Sequence, residues 1–173
     1  MSSSVFSTGL RLRRVVRLSG WMVAVVLSCA AAVADEASLL IRGDIADPSG
    51  TVVLNAAALE NLPAVSFQTG TIWTEGQMTF SGPTLASVLT LVGAGGGNLL
   101  LRAVNDYEVT LPISLVSADA PIIATHINGK PFTIKENGPL WVVFPYDREP
   151  EFRTETSYAV SVWQLTEISV LPE

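Results

Sequence analysis

The amino-acid sequence predicts a mixed α+β fold: a single, strand-rich domain with a few short helices. Short runs of β-branched and aromatic residues recur between Pro, Gly and Asn turn signals from Ser38 onward, as expected of strands. Helical periodicity is confined to short segments that do not alternate regularly with the strands, so parallel βαβ units are not expected. The 173 residues are 49% hydrophobic and 15% charged, which provides enough apolar material for one core and argues against disorder.

Strands are predicted wherever an apolar or β-branched run is bounded by turn residues. Two pairs of runs flank short polar turns, Asn105-Asp106 and Asn128-Gly129-Lys130, and are therefore predicted to form β-hairpins. The run 140–144 is wholly apolar and lies between two prolines, which predicts a buried strand. The predicted strands are 38–45, 51–54, 65–73, 77–81, 98–104, 107–111, 122–127, 131–134, 140–144 and 167–171.

Helices are predicted from caps and from apolar spacing. Asn55 suits the N-cap of a first helix, and Pro83 suits the first position of a second. Apolar residues recur at helical spacing after Pro83, and the glycine run 93–97 ends that helix. The segment 157–163 fits either a strand or a helix, and we favour a helix. The predicted helical segments are 56–61, 83–92, the single turn 113–117 and 157–163, and a charged loop is predicted at 147–155.

The N-terminal 34 residues have the layout of a secretory signal peptide. Four arginines lie between Arg11 and Arg17, no acidic residue precedes Asp35, and the apolar stretch 21–34 ends in a small-residue Ala-Val-Ala site. Residues 1–34 are therefore predicted to be removed, which leaves a periplasmic or secreted domain at 35–173. An uncleaved anchor, lipid attachment at Cys29 and twin-arginine export are the alternatives.

The predicted mature domain is strongly acidic. Residues 35–173 carry six basic and sixteen acidic residues, for a net charge of −10, so a nucleic-acid partner is not expected. The chain has one cysteine, Cys29, and one histidine, His126, which excludes a disulfide framework and the Cys/His zinc patterns. His126 alone is interpreted as a hydrogen-bonding residue. The glycine run follows a helix instead of opening one, so it is interpreted as a turn and not as a phosphate loop.

Several motifs together resemble the sulfite-oxidase-type molybdopterin-binding domain. The segment from Phe80 to Leu89 resembles that family's aromatic-x-Gly-x-x-Leu helix signature, and four later segments match in the family's order. The resemblance covers nearly all of the predicted mature domain and is closest to small, exported, stand-alone members. The later segments are 107–112 (Tyr-x-Val-x-Leu-Pro), 124–131 (Ala-x-x-x-Asn-Gly-x-Pro), 138–145 (Gly-Pro-Leu-x-Val-Val-x-Pro) and 163–170 (Trp-x-Leu-x-x-Ile-x-Val).

The resemblance implies a cofactor that this sequence is poorly equipped to hold. Enzymes of the family ligate molybdenum through a cysteine thiolate, and the equivalent position here falls at about Thr69 or Gly70, neither of which is cysteine. Molybdenum favours such a soft ligand. Six basic residues in a domain of charge −10 also offer little to an anionic pterin. We therefore expect no cofactor, with molybdopterin implied only by the resemblance, and we expect that the chain is not an enzyme.

Three functions follow as hypotheses. The favoured one is a non-catalytic periplasmic module that binds a small molecule or a protein partner, such as the outer part of a membrane sensor. The alternatives are a molybdopterin-dependent oxidoreductase that holds its cofactor without the thiolate, and a structural subunit of a periplasmic redox complex. The candidate ligand-binding residues, taken from loops near the family's cofactor site, are Thr69, Trp73, Asn105, Tyr107, Tyr146 and Arg148, with the aromatic rings stacking on a ligand and the polar groups hydrogen-bonding to it.

Overall fold

Three β-sheets account for most of the regular structure in residues 37–173, the part of the chain that this computed structural model describes. The largest sheet has five strands in the order β2-β1-β11-β5-β6. Strands β1 and β11 are parallel, and the other neighbours are antiparallel. These strands are β1 (Ser38–Gly43), β2 (Thr51–Asn55), β5 (Leu99–Ala103), β6 (Glu108–Leu111) and β11 (Leu165–Val170).

The other two sheets are smaller and contain the strands from the middle of the chain. One has four antiparallel strands in the order β3-β4-β8-β9, and the other pairs β10 with β7. An isolated bridge joins Trp141, at the start of β10, to Trp163. The strands are β3 (Ala64–Gly70), β4 (Gln77–Pro83), β7 (Ile122–Ala124), β8 (His126–Ile127), β9 (Lys130–Pro131) and β10 (Trp141–Val143).

Each of the three α-helices begins at a side-chain cap. The side chains of Asn55, Thr84 and Thr154 accept a hydrogen bond from the backbone N–H three residues later, which satisfies a donor that the helix itself leaves unpaired. Gly93 ends the second helix in the left-handed conformation, as predicted for the start of the glycine run. The helices are α1 (Ala56–Glu60), α2 (Leu85–Val92) and α3 (Glu155–Ala159), and 3₁₀ turns occupy Ile113–Leu115, Ile134–Glu136 and Pro150–Phe152.

The prediction of a mixed, strand-rich α+β fold is confirmed, and both predicted hairpins form. The prediction that Pro83 is the first residue of α2 is wrong, because Pro83 ends β4 opposite Ala64 and Thr84 caps the helix. The predicted strand 122–127 divides at Thr125 into β7 and β8, because the Thr125 N–H pairs with the Ser81 carbonyl. The predicted strand 131–134 keeps only its first residue, because its last, Ile134, lies in a 3₁₀ turn.

Several further boundaries differ from the sequence-based predictions, and two of them bear on the candidate site. Strand β3 ends at Gly70 instead of continuing to Trp73, because the hydroxyls of Thr71 and Thr74 accept backbone N–H bonds and fold the next residues into a turn. The helix predicted at 157–163 begins earlier, after the Thr154 cap, and ends at Ala159.

The N-terminal predictions lie outside the described residues. These are the signal peptide at 1–34, its cleavage after Ala34 and the alternative of lipid attachment at Cys29. Within residues 37–173, every helix is too short to cross a membrane.

Aromatic contacts between β4, β10 and the β3–β4 turn form the part of the core that lies nearest the candidate site. The fully buried ring of Phe80 packs edge-to-face on Trp141, at a centroid distance of 5.5 Å and an interplanar angle of 84°. The Trp141 ring in turn packs against the Trp73 ring, at a centroid distance of 5.8 Å. Such edge-to-face pairs add to the stabilisation from buried area, so Trp141 links the core to the turn that carries Trp73.

Strands β4 and β7 approach each other closely at Gly82. A Cβ placed there would lie 2.0 Å from the backbone oxygen of Ile123, which cannot rotate away. Gly82 therefore permits the contact between the four-stranded sheet and the β7–β10 pair, which is an ordinary reason for glycine within a strand.

We predict that Gly82→Ala destabilises the protein by about 3 kcal/mol, because the new methyl group collides with fixed backbone. Gly129→Ala is the matched control: its φ is +76° but nothing lies within 4 Å of the added Cβ. That substitution is expected to cost only about 1 kcal/mol of left-handed strain. Urea unfolding of both variants measures the difference, and equal losses would show that the strands can separate at Gly82.

Candidate functional site

An aromatic pocket of about 360 Å³ lies at one end of the five-stranded sheet. Three segments meet there: the β3–β4 turn, the β5–β6 hairpin turn and the segment from α3 to Trp163. Four of the lining side chains are aromatic, and none of the lining side chains is charged. The residues that line this aromatic pocket are Ile72, Trp73, Ala103, Asn105, Tyr107, Tyr158, Ala159, Ser161, Val162 and Trp163.

The β3–β4 turn holds the ring of Trp73 in the pocket wall. The Thr71 hydroxyl accepts the Trp73 backbone N–H at 3.1 Å, and the Thr71 and Thr74 hydroxyls lie 3.0 Å apart. The Trp73 ring packs edge-to-face against Tyr158, at a centroid distance of 6.1 Å and an interplanar angle of 72°. The Trp73 and Tyr158 rings therefore form two pocket walls that meet at a steep angle.

The β5–β6 hairpin turn supplies the opposite wall. Asp106 adopts a left-handed conformation with φ of 62°, and the Asn105 side-chain oxygen accepts the Tyr107 backbone N–H at 3.2 Å. The Tyr107 hydroxyl then donates to the Ala159 carbonyl at the end of α3, at 3.2 Å. This bond closes the aromatic pocket between two segments that are 52 residues apart in sequence.

A buried polar network supports the pocket from behind. The Ser161 hydroxyl donates to the Ser157 carbonyl at 2.6 Å, so the Tyr146 hydroxyl donates to the Ser161 oxygen in a short bond. The Tyr146 ring also stacks on the Tyr158 ring, at a centroid distance of 4.7 Å. Burial raises the pKa of the Tyr146 phenol well above its ordinary value, so this group stays protonated and acts as a structural donor.

The Asp147 carboxylate closes the base of the turn that carries Trp73. It accepts the Gly70 backbone N–H at 2.6 Å, the Gln77 side-chain amide at 3.2 Å and an Arg153 guanidinium N–H at 2.8 Å. Gly70 and Gln77 are cross-strand partners at the end of β3 and the start of β4. The backbone N–H of Asp147 also donates to the buried hydroxyl of Thr69, at 3.1 Å. We call this group the Asp147 latch.

The Asp147 latch favours the ionised carboxylate. The Gly70 N–H bond lowers the pKa of Asp147 most, with smaller contributions from Gln77 and Arg153 against a desolvation effect that raises it. Arg153 also donates through Nε to the Tyr146 carbonyl at 2.7 Å, so one guanidinium connects the latch to the buried network behind the pocket.

The six candidate residues from the sequence fall into three groups in the structure. Trp73, Asn105 and Tyr107 line the aromatic pocket together. Thr69 and Tyr146 are buried beside it, in the latch and in the supporting network. The exposed Arg148 lies outside the pocket lining and pairs with Glu149 at 2.8 Å and with Asp119 at 3.7 Å.

Sequence reasoning missed several lining residues of the aromatic pocket. Tyr158, Ser161 and Trp163 line the pocket but are not among the six candidate residues. The density of aromatic and small polar residues between Ser157 and Trp163 is a signal that could have identified this wall. The polar network of Ser161 depends on Tyr146, 15 residues earlier, and was not visible in any local pattern.

The residues at the expected cofactor position do not fit a thiolate-held metal. Thr69 presents a hydroxyl already bonded within the Asp147 latch, and the Asp147 carboxylate lies 3.5 Å from a Cβ placed on Gly70, at ordinary contact distance. A negatively charged group therefore lies beside the place that an anionic cofactor would approach. In residues 37–173, no cluster of three His, Cys, Asp or Glu side chains could hold a metal ion, and all four arginines are ion-paired.

Three other polar side chains near possible sites, those of Glu136, Asn128 and His126, have structural partners. A second cavity of about 670 Å³ shares Trp73 with the aromatic pocket, but its Glu136 caps a 3₁₀ turn and its Asn128 accepts the Thr79 N–H. His126 makes a 2.9 Å hydrogen bond to the neighbouring Thr125 hydroxyl. These bonds leave the aromatic pocket as the better candidate for a ligand.

Comparison with known proteins supports a distant fold relationship. No protein-family model matches the chain, and no curated protein matches it significantly. Among solved structures, the chain is similar to the sulfane dehydrogenase SoxCD from Paracoccus pantotrophus, with a TM-score of 0.60 and 19% sequence identity. The match covers 79% of this chain and 38% of that one, so the chain spans well under half the length of its structural neighbour.

We predict that Asp147→Asn lowers the thermal stability at neutral pH. We also predict that the variant loses less stability than the wild type does when the pH is lowered. The pKa of Asp147 is lower in the folded than in the unfolded chain. Its stabilising effect is therefore fully present above the unfolded pKa of about 4 and is lost as the pH falls through the folded pKa. Melting temperatures between pH 7 and pH 2 measure this effect. The pKa values of Asp47 and Glu136 are also lowered, and because both residues are unchanged in the variant, it keeps their part of the acid-induced loss of stability.

Glu151→Gln provides the control for this comparison. Glu151 is an exposed carboxylate of the same segment that makes no hydrogen bond or ion pair with the other described residues. Its substitution is expected to leave the pH profile of the melting temperature unchanged. An Asp147→Asn profile that follows the wild-type curve would contradict a stabilising role for the latch.

Proposed function

We propose that this chain is an exported, non-catalytic module that binds a small molecule in the aromatic pocket. The observation that carries the proposal is the Asp147 latch, which holds a bonded carboxylate beside Thr69 and Gly70, the residues at which the resemblance would expect a metal-ligating thiolate. The sulfite-oxidase-like character of the fold is part of the proposal. It is supported by the sequence motifs and by the likeness to a sulfane dehydrogenase.

The chemistry of the pocket lining supports binding over catalysis. The hydroxyls of Tyr107 and Ser161 already donate to backbone carbonyls, and the described lining offers no carboxylate, imidazole or amine for proton transfer. Aromatic and aliphatic side chains dominate the remainder, with Asn105 as a polar group at the hairpin turn. Apolar walls with few polar groups are typical of small-molecule sites.

Export is supported by the N-terminal sequence. A basic region, an apolar stretch and a small-residue site precede Asp35, which is the layout of a cleaved signal peptide. On this proposal, residues 35–173 act in the periplasm or outside the cell.

A protein-interaction role is the second candidate, and the rim of the pocket favours it. Ile72 is 69% exposed, Val104 is 54% exposed and Tyr107 is 47% exposed, and these residues lie on or beside two of the pocket walls. Grouped exposed apolar side chains are typical of contact surfaces. A periplasmic or membrane partner that covers this rim would fit either a sensor or a structural subunit of a redox complex.

Binding in the pocket is tested by native mass spectrometry of protein purified from its own host's periplasm. We expect a small-molecule adduct on the wild-type protein, and at least about a tenfold lower occupancy in Trp163→Ala, because a lining ring is lost. Tyr107→Ala tests the opposite wall in the same way.

The control is Ile134→Ala, an exposed apolar residue outside the pocket lining, which is expected to retain the adduct. An adduct of equal occupancy in all four proteins would place the ligand elsewhere and contradict the proposal. A co-purifying protein that is lost on Ile72→Ala, without any small-molecule adduct, would favour the interaction role instead.

A further inference from the structure

We propose that the aromatic pocket recognises a quaternary ammonium group, such as the trimethylammonium head of choline or a betaine. This inference deepens the proposed function and rests on it. It follows from the angle between the pocket walls, the absence of charge in the lining and the acidity of the domain.

The angle between the rings suits a rounded head better than a flat ring. Trp73 and Tyr158 stand at 72° to each other, so they form a corner instead of two parallel faces. A planar ligand is usually sandwiched between parallel rings, whereas a quaternary ammonium is surrounded by rings at steep angles. Tyr146 stacks on Tyr158 at an interplanar angle of 23° and fixes this wall from behind.

Four electron-rich rings line the pocket and favour a cation. Trp73, Tyr107, Tyr158 and Trp163 include two indoles, and indole gives the strongest cation–π attraction among the side chains. The predicted mature domain carries a net charge of −10, which attracts cations and repels anions over longer distances. An anionic ligand would find no basic side chain in the lining.

The hydrogen bonds of the lining favour a quaternary over a primary ammonium. A primary ammonium brings three N–H donors that need acceptors when buried. The Ala159 carbonyl already accepts from Tyr107, and the Ser161 carbonyl accepts from the Trp141 indole at 3.2 Å. A trimethylammonium head has no N–H donors, so it needs no hydrogen-bond acceptor from the pocket lining.

The pocket volume leaves room for the rest of such a ligand. About 360 Å³ holds a trimethylammonium head together with a short tail. The side-chain NH₂ of Asn105 makes no hydrogen bond with another described residue, while its oxygen accepts from Tyr107. This NH₂ is placed to donate to a hydroxyl or carboxylate oxygen on the tail.

Isothermal titration calorimetry with matched probes tests the inference. Choline and glycine betaine carry the quaternary head, and 3,3-dimethyl-1-butanol is the uncharged shape analogue of choline. Ethanolamine supplies a primary ammonium, and coumarin is a flat neutral ring. We expect binding of choline or glycine betaine at least about tenfold tighter than that of the other three, because only they combine charge with a rounded apolar head.

Two variants connect binding to the rings. Trp163→Leu is expected to weaken binding of the quaternary probe about tenfold or more, whereas Trp163→Phe retains part of it because an aromatic face remains. Ile134→Ala, outside the pocket, is expected to bind as the wild type does. Circular dichroism and thermal unfolding confirm that each variant is folded before titration.

The outcomes separate this inference from the proposed function. Equal affinity for choline and its neutral analogue would overturn the inference, because charge would then play no part. Tight binding of coumarin alone would overturn it while supporting a small-molecule pocket. Failure of every probe would overturn it too. The proposed function itself fails only if the periplasmic protein also carries no small-molecule adduct sensitive to Trp163→Ala.

Discussion

The carboxylate of Asp147 joins segments that lie far apart in the sequence, and the geometry around the aromatic pocket depends on it. It bonds Gly70 and Gln77, the two residues that close the base of the turn carrying Trp73. Arg153 bonds both this carboxylate and the Tyr146 carbonyl. The same few bonds therefore set the position of the Trp73 turn and of the Tyr146 ring on which Tyr158 stacks.

This constraint shapes a site within a fold that is similar to part of a larger dehydrogenase chain. The ionised Asp147 carboxylate lies beside the residues at which the resemblance expects a cofactor ligand, and it accepts hydrogen bonds from backbone and guanidinium donors. The neighbouring pocket is lined mainly by aromatic rings and apolar side chains, and its Tyr107 and Ser161 hydroxyls already donate to backbone carbonyls.

The sequence correctly predicted the structural features that depend on neighbouring residues. The Asn55 cap, the Gly93 helix end and both hairpins depend on residues adjacent in the chain, and all of them form. Pro83 was misassigned because its strand pairing with Ala64 depends on tertiary structure. The end of β3 at Gly70 combines the local turn made by the Thr71 and Thr74 hydroxyls with the bond from Gly70 to Asp147, 77 residues away, and no local pattern shows that second bond. Trp73, Asn105 and Tyr107 were candidates because the resemblance places their loops near the family's cofactor site, whereas Tyr158 and Ser161 join them only through packing.

The central proposal is that Thr69 and Asp147 form a structural site that holds no molybdopterin, and the molybdenum content of the protein tests it most directly. The chain would be purified from a host that synthesises molybdopterin, and its metal would be measured by mass spectrometry alongside released pterin. Our account predicts molybdenum far below one atom per chain and no pterin. Stoichiometric molybdenum together with released pterin would contradict it.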